Sequence, residues 1–362
     1  MGTYLDWNAT APLRAVARAA WLRAQDEAWA NPGSIHGDGQ RARLTIDEAK
    51  RTIARLLGAK PHELVITSGG TEANSLALAQ AAGPIAVTAV DHSSILRAAP
   101  EALRLPVDAD GRVLADEVPR DTALAALQFA NNETGVLQDV PALVAAIRAR
   151  APAARTHLDA CQGAGKAPLD LGRLGIDTAS IAGHKFGAPK GIGLLYARNG
   201  MRIAPQLRGG RQQQDRRSGT EDPAAAAALA AALTEACAEH PAEDPRQRDL
   251  LDACFTRIAA ALPDARWIAR GAPRLANTLS LGHPGVDNQL LVQRLDLRGF
   301  AVSVGAACMA GRDEPSHVIA AMGVDPALAK GVIRVSIGHT TTAAELEAFA
   351  AAYAAEVHGL LA

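Results

Sequence analysis

Apolar residues in this chain recur in short runs separated by polar or helix-patterned segments. Runs at 64–67, 85–90, 123–129, 156–158, 178–182 and 192–196 predict buried strands. Segments with helical spacing at 72–81, 94–103 and 141–150 lie between most of them. Ahead of this alternation come an extended stretch over 4–12, a helix over 15–29 and a turn-rich loop from Asn31 to Gly37. A second helix over 40–57 carries Leu44, Ala49, Ile53 and Leu56 or Leu57 on one face, and Gly58 closes it. Strand and helix in turn predict an α/β fold with a mostly parallel sheet covered on both faces. Ligands on such a sheet bind beyond the carboxyl ends of the strands.

Asp222-Pro223 caps a further, alanine-rich helix. Past Glu239 the chain turns polar through 240–245. The pattern then predicts a separate helix over 246–262, a strand over 277–281 and a helix over 287–297. A strand at 301–304, a helix at 315–322, a strand at 333–337 and a helix from Ala343 complete it. That second α/β unit of about a hundred residues has the size of a small domain.

Composition narrows the function classes. The 362 residues are 48% hydrophobic and 21% charged, which is globular, and the formal net charge of -1 argues against a nucleic-acid or anionic-membrane partner. No charged-then-apolar leader is evident, and the alanine-rich run at 224–233 is too short to span a bilayer. Cys161, Cys237, Cys254 and Cys308 show no CxxC spacing, so neither a disulfide framework nor a metal site is expected, and a reducing cytoplasm fits.

The chemistry concentrates where strands end. Lys185 follows the run 178–182 and Asp159 follows 156–158. A lysine drawn out of water has a lowered pKa and attacks aldehydes, as a pyridoxal phosphate Schiff base requires, and a carboxylate on the pyridine nitrogen completes the electron sink. Taken singly, a strand-end lysine is usually a solvated loop residue and a strand-end Asp a cap or turn. The pair is more specific: of the lysines at 50, 60, 166, 185, 190 and 330, only Lys185 and Lys190 closely follow a buried strand.

Other strand ends are polar too. Thr67-Ser68-Gly69-Gly70-Thr71-Glu72-Ala73-Asn74 is either an anion cradle at a helix start or a plain strand-turn-helix junction. His92 either serves proton transfer and ring stacking or merely caps a helix. The stretch at 129–135 is a site loop or a turn, and Arg216-Arg217-Ser218-Gly219-Thr220 faces a phosphate or solvent. Arg334, inside an apolar strand, is solvent-facing or paired with a carboxylate, a substrate's included. Cys308, after small residues and near Arg312, is a candidate nucleophile.

Together these motifs resemble the cysteine desulfurases. Tyr4-Leu5-Asp6, Asn31-Pro32-Gly33-Ser34-Ile35-His36, Thr67 to Glu72, His92, Asn131 to Gly135, Asp159-Ala160-Cys161-Gln162, Gly183-His184-Lys185, Pro189-Lys190-Gly191, Arg217 to Thr220, Ala306-Ala307-Cys308 and Ile333 to Ser336 occur in that family's order and spacing. The resemblance covers nearly the whole chain. It implies a fold-type I pyridoxal 5'-phosphate enzyme of the class V aminotransferase superfamily. A large domain, 15–255, would carry a mostly parallel sheet, with a small α/β domain from 1–14 and 256–362, in a homodimer.

By position, the resemblance implies that Lys185 forms the Schiff base, Asp159 meets the pyridine nitrogen, Gln162 the ring hydroxyl and His92 the ring face. Asn132 would lie beside ring and substrate. Gly70, Thr71 and His184 would hold the phosphate, with Thr220 from the second subunit. Arg334 would bind the substrate carboxylate, Cys308 would take up the sulfur, and His92 would carry protons near the thiol. Three departures from the family are visible: Ala182 replaces a usual Ser, Val304-Gly305-Ala306-Ala307-Cys308-Met309 replaces Ser-Gly-Ser-Ala-Cys-Thr, and Cys161 replaces Thr or Ser. The implied reaction converts L-cysteine to L-alanine and passes sulfur to an acceptor protein, as in iron–sulfur assembly or tRNA thiolation. The alternatives are a selenocysteine lyase, another class V lyase, or a non-catalytic sulfur-assembly scaffold.

Overall fold

A computed structural model describes residues 2–305 and 316–362. A short strand, β1 (Thr3–Tyr4), is followed by two helices, Ala15–Glu27 and Gly37–Leu56. Then come the main-sheet strands β2 (Leu64–Thr67), β3 (Ile85–Thr88), β4 (Leu103–Leu105), β5 (Leu124–Gln128), β6 (Arg155–Asp159), β7 (Thr178–Ala182) and β8 (Gly193–Ala197). Their order across the sheet is β2-β8-β7-β6-β5-β3-β4. Only β8 runs against its neighbours; all other pairings in this sheet are parallel. Strands β5 to β8 are buried along their length apart from Arg155, as expected of a sheet with both faces covered.

The sequence pattern locates six of the seven strands and misses β4. The helix predicted over 94–103 is a short Ser93–Leu96 turn. Pro100 cannot donate to a helical ladder, and beyond it the chain extends as a parallel edge strand beside β3.

The remaining strands are β9 (Arg266–Trp267), β10 (Thr278–Gly282), β11 (Phe300–Ala301) and β12 (Ile333–Ser336). β12-β10-β9 form an antiparallel sheet, and β1 pairs with β11. Leu5, Leu279, Leu281, Ile333, Val335, Phe349 and Tyr353 pack there with Phe255 and Trp267 in a core distinct from that under the main sheet.

One helix reaches both cores. Residues expected as two helices with a polar break form a single 39-residue helix, Pro223–Ala261, with Pro241 and Pro245 inside it. Its Leu229, Leu233 and Ala236 join the first core, and its Leu251, Phe255 and Ile258 the second. The polar middle crosses between them. There Arg14 pairs with Glu235 and Glu239 at 2.8 and 2.7 Å, and Arg246 holds Glu243 and the carbonyls of Gly338 and Thr341. Such tertiary anchoring offsets the roughly 3 kcal/mol that an interior proline costs.

β8 also shapes the turn that follows β2. A Cβ on Gly193 would collide with the Ile181 carbonyl and lie 2.6 Å from the Gly69 Cα. Both obstacles are backbone, so neither yields cheaply. Gly193→Ala is therefore expected to lose about 1–3 kcal/mol of stability, read as a lower urea midpoint; an unchanged midpoint contradicts this packing.

Candidate active site

β2 and the parallel strands β3, β5, β6 and β7 end on one edge of the main sheet, around a cavity of about 420 Å³. After β2, the turn through Gly69 opens helix Gly70–Leu78, and Gly70 and Thr71 line the cavity. A Cβ on Gly70 would strike the Cys161 Sγ. The turn is locked by Glu72, which accepts from the Ser68 amide at 2.6 Å and pairs with Arg217 at 2.8 Å. Arg217 thus faces a carboxylate of its own chain.

After β3, His92 caps helix Ser93–Leu96 and lines the cavity, so the two sequence readings of it coexist. Its Nδ1 accepts from the Ser94 amide at 3.1 Å. Burial lowers its pKa, with Asp159 opposing, which favours a neutral ring. After β5, the Asn131 side chain accepts from the amides of Glu133 and Thr134, and this turn sets Asn132 and Glu133 on the cavity wall.

After β6 stands Asp159. Its Oδ1 accepts from the Cys161 amide at 3.0 Å and its Oδ2 from the Asn74 amide group at 2.9 Å. Burial alone would raise its pKa. The Cys161 and Asn74 donors outweigh that, and the carboxyl stays below its ordinary value, ionised. An ionised carboxylate only accepts, so Asn74 must turn its NH₂ toward it. The Asn74 Oδ1 then faces His157 Nε2 at 2.9 Å, which makes that nitrogen the protonated one. His157 Nδ1 accepts from the Thr178 hydroxyl at 2.9 Å, and burial lowers the ring's pKa to about 4. A neutral, fully paired chain thus backs the carboxylate. Asn74 lies inside a motif visible in the sequence, one helical turn past Gly70, but periodicity assigns it no partner.

After β7, the turn Gly183–Lys185 delivers His184 and Lys185. The Lys185 amine donates to the carbonyls of Asn8 and Ala9 at 2.7 and 2.9 Å. Burial, with Arg334 adding to it, lowers its pKa to about 8. Lys190 is exposed. His184 bonds Thr10 at 3.2 Å, and burial lowers its pKa to about 4. Gln162 donates to the Asn8 carbonyl at 3.0 Å and accepts from Lys166 at 2.7 Å. Lys166 belongs to a smaller cavity of about 60 Å³, and Lys185 lines both.

Arg334, 3% exposed, reaches the cavity from β12. Its charge inside an apolar strand has a reason the sequence alone did not reveal: Nη2 pairs with Asp6 at 2.5 Å. Nη1 donates to the carbonyls of Asn132 and Gly305, and Nε is left without a partner among the described residues.

One expected residue is not brought to this cavity. Thr220 is exposed and lines a separate pocket with Asn31 and Lys50. Cys308, with Arg312, lies outside the described residues. Cys161 does line the cavity, but burial and Asp159 push its thiol far up, so it stays protonated.

The donor set suits a flat ring bearing an anion. A helix start with no Cβ at Gly70 forms one end, the ionised Asp159 another, and between them a lysine rests on nothing stronger than backbone carbonyls. Ala182 brings no hydroxyl to the anion end. Fold and cavity edge define a fold-type I transferase. The chain belongs to the class-V aminotransferase family, which it matches over residues 3–349. A cysteine desulfurase of Cereibacter sphaeroides is 39% identical over 365 residues, covering 95% of this chain and 92% of the relative. A NifS-like protein from Rickettsia africae superposes with a TM-score of 0.90 at 30% identity, over 99% of this chain and 100% of its own. A structure described as SspA in complex with cysteine gives 0.79 at 25% identity, over 92% and 98%.

The lysine environment has a direct chemical readout. The neutral amine is the reactive form, and its fraction rises as pH climbs through the pKa. In cofactor-free protein, acylation of Lys185, mapped by mass spectrometry, should titrate with a midpoint near the pKa of about 8. An ordinary lysine titrates at about 10.4, and that midpoint at Lys185 would contradict the burial described.

Proposed function

We propose that this protein is a cysteine desulfurase that uses pyridoxal 5'-phosphate to take sulfur from L-cysteine and release L-alanine. The observation that carries the reading is the convergence of Lys185, Asp159, His92 and Arg334 on one cavity at the carboxyl ends of parallel strands. The desulfurase names of its relatives, and a structural neighbour described in complex with cysteine, support the substrate.

When bound, the cofactor supplies an aldehyde for the lysine amine and an aromatic ring that withdraws electrons from the substrate Cα. Gly70, Thr71 and His184 hold its phosphate, joined by Thr220 of a second copy in a homodimer. Asp159, kept ionised by Asn74 and Cys161, holds the proton on the ring nitrogen. Gln162 would meet the ring hydroxyl, His92 one ring face, and Asn132 would lie beside ring and substrate. Arg334 takes the substrate carboxylate. Lys185, once its amine is free, removes the Cα proton; a pKa of about 8 leaves a usable neutral fraction near neutral pH.

The Cys308 thiolate then attacks the substrate sulfur. A sulfur–sulfur bond forms as the carbon–sulfur bond breaks, and the carbon product takes up protons, with His92 as the carrier, to leave as alanine. The persulfide passes to an acceptor protein. The same reading divides the chain into a domain at 15–255 and another from 1–14 and 256–362, and places the protein in the cytoplasm.

Incubation with L-cysteine and a thiol should yield sulfide and alanine in equal amounts. Cys308→Ser should keep the cofactor and its spectral response to cysteine yet lose both products, and a mass-labelled persulfide should lie on the Cys308 peptide. Normal turnover by Cys308→Ser, or the extra sulfur on Cys161, contradicts the sulfur path. Arg334→Ala should raise the KM for cysteine, and because it strands Asp6, it should also lower the melting temperature. An unchanged KM removes Arg334 from substrate binding.

A further inference from the structure

Glu133 is 3% exposed, lines the cavity, and has no part in the reaction outlined above. A buried carboxylate is expensive unless something needs it. Burial raises its pKa, while the Ser316 hydroxyl, His317 and Arg334 oppose that rise. Its place is fixed from below, because the Glu133 amide is held by Asn131 Oδ1 at 2.8 Å.

One oxygen of this carboxylate meets both described residues that bound 306–315. The Ser316 hydroxyl donates to Oε2 at 2.5 Å. Gly305, at φ 101°, packs so closely that a Cβ there would lie 2.6 Å from the same Oε2. Each contact is itself anchored to the site. Ser316 caps helix His317–Ala321, and His317 of that helix bonds the Asp91 carbonyl at 3.0 Å, next to His92. The Gly305 carbonyl accepts from Arg334 at 2.8 Å. Glu133 thus ties the two points between which Cys308 lies in sequence to the residues proposed for proton transfer and substrate binding.

We propose that Glu133 is a positioning residue for the sulfur-transfer step: its carboxylate fixes Gly305 and Ser316 relative to the substrate site. The inference rests on the desulfurase reading. It concerns only the step that uses Cys308 and leaves the earlier encounter of cofactor and cysteine to other residues. A displacement of 1 Å in a reacting group costs on the order of 10²-fold in rate, so releasing either contact should be felt there first.

The test compares two steps in the holoenzyme of Glu133→Gln, Glu133→Ala, Ser316→Ala and the Glu133→Ala/Ser316→Ala double variant. The first readout is the rapid absorbance change of the bound cofactor on mixing with L-cysteine. The second is the single-turnover rate of persulfide formation on the Cys308 peptide, followed by mass spectrometry. The absorbance change should stay within about threefold of wild type, while persulfide formation should fall about 10²-fold in the alanine variants. Glu133→Gln keeps the shape and an acceptor oxygen and should lose less. Because the two residues act through one bond, the double variant should be no worse than the more severe single one. Ser316→Ala leaves Glu133 in place and decides the question even if Glu133→Ala does not fold. Equal losses in both steps, or persulfide formation at the wild-type rate, overturn the proposal. Absence of persulfide and alanine in the wild type would instead overturn the desulfurase reading.

Discussion

Asn8 has no solvent exposure, and each of its polar atoms is engaged by residues from distant parts of the chain. Its carbonyl accepts from both Lys185 and Gln162, and its side-chain oxygen accepts from Lys166 and Asn277. Its NH₂ group reaches Thr278 and the Asn132 carbonyl, and its backbone amide reaches Ser336. Thr278 and Ser336 lie in β10 and β12, opposite one another, whereas Lys185 and Gln162 follow strands of the main sheet. One buried asparagine therefore joins the two cores and sets the resting place of the reactive amine. A buried amide costs stability unless it is paired, and every polar atom of Asn8 has its partner here.

The opposite side of the cavity follows the same logic with a charge in place of an amide. Asp159 stays ionised because Asn74 and Cys161 donate to it, and Asn74 can do so because His157 and Thr178 fix which way its amide points. For Lys185 the charged form is disfavoured, by burial and by Arg334. A persistent negative charge and a lysine that readily gives up its proton thus face one cavity. Both pKa values are shifted down, which keeps the carboxylate charged and frees the amine to act as a base, and carbanion chemistry at an amino-acid Cα requires both.

Much of this was legible in the sequence, and the rest was hidden for identifiable reasons. Lys185 and Asp159 stand out because each ends an apolar run, and period and burial alone place them on one sheet edge. The cavity likewise gathers His92, Asn132, Gln162, His184 and Arg334. Asn8, Asn74, Asp6 and Glu133 did not stand out individually, because their roles are long-range hydrogen bonds and ion pairs that no local period encodes. β4 reads as helix because a short alanine- and leucine-bearing run fits either period until Pro100 decides it. The 39-residue helix reads as two because prolines and charges look like a linker when their partners, Arg14, Gly338 and Thr341, are far away in sequence.

On the desulfurase reading, the cofactor attaches to Lys185 and to no other lysine. The closest rival is Lys166, which shares Asn8 with it and is also buried, but lines only the smaller cavity. Reconstitution of the purified protein with pyridoxal 5'-phosphate, borohydride reduction and peptide mapping tests this directly. The reduced cofactor should be recovered on the peptide that contains Lys185. Its recovery on Lys166 or Lys190 would contradict it.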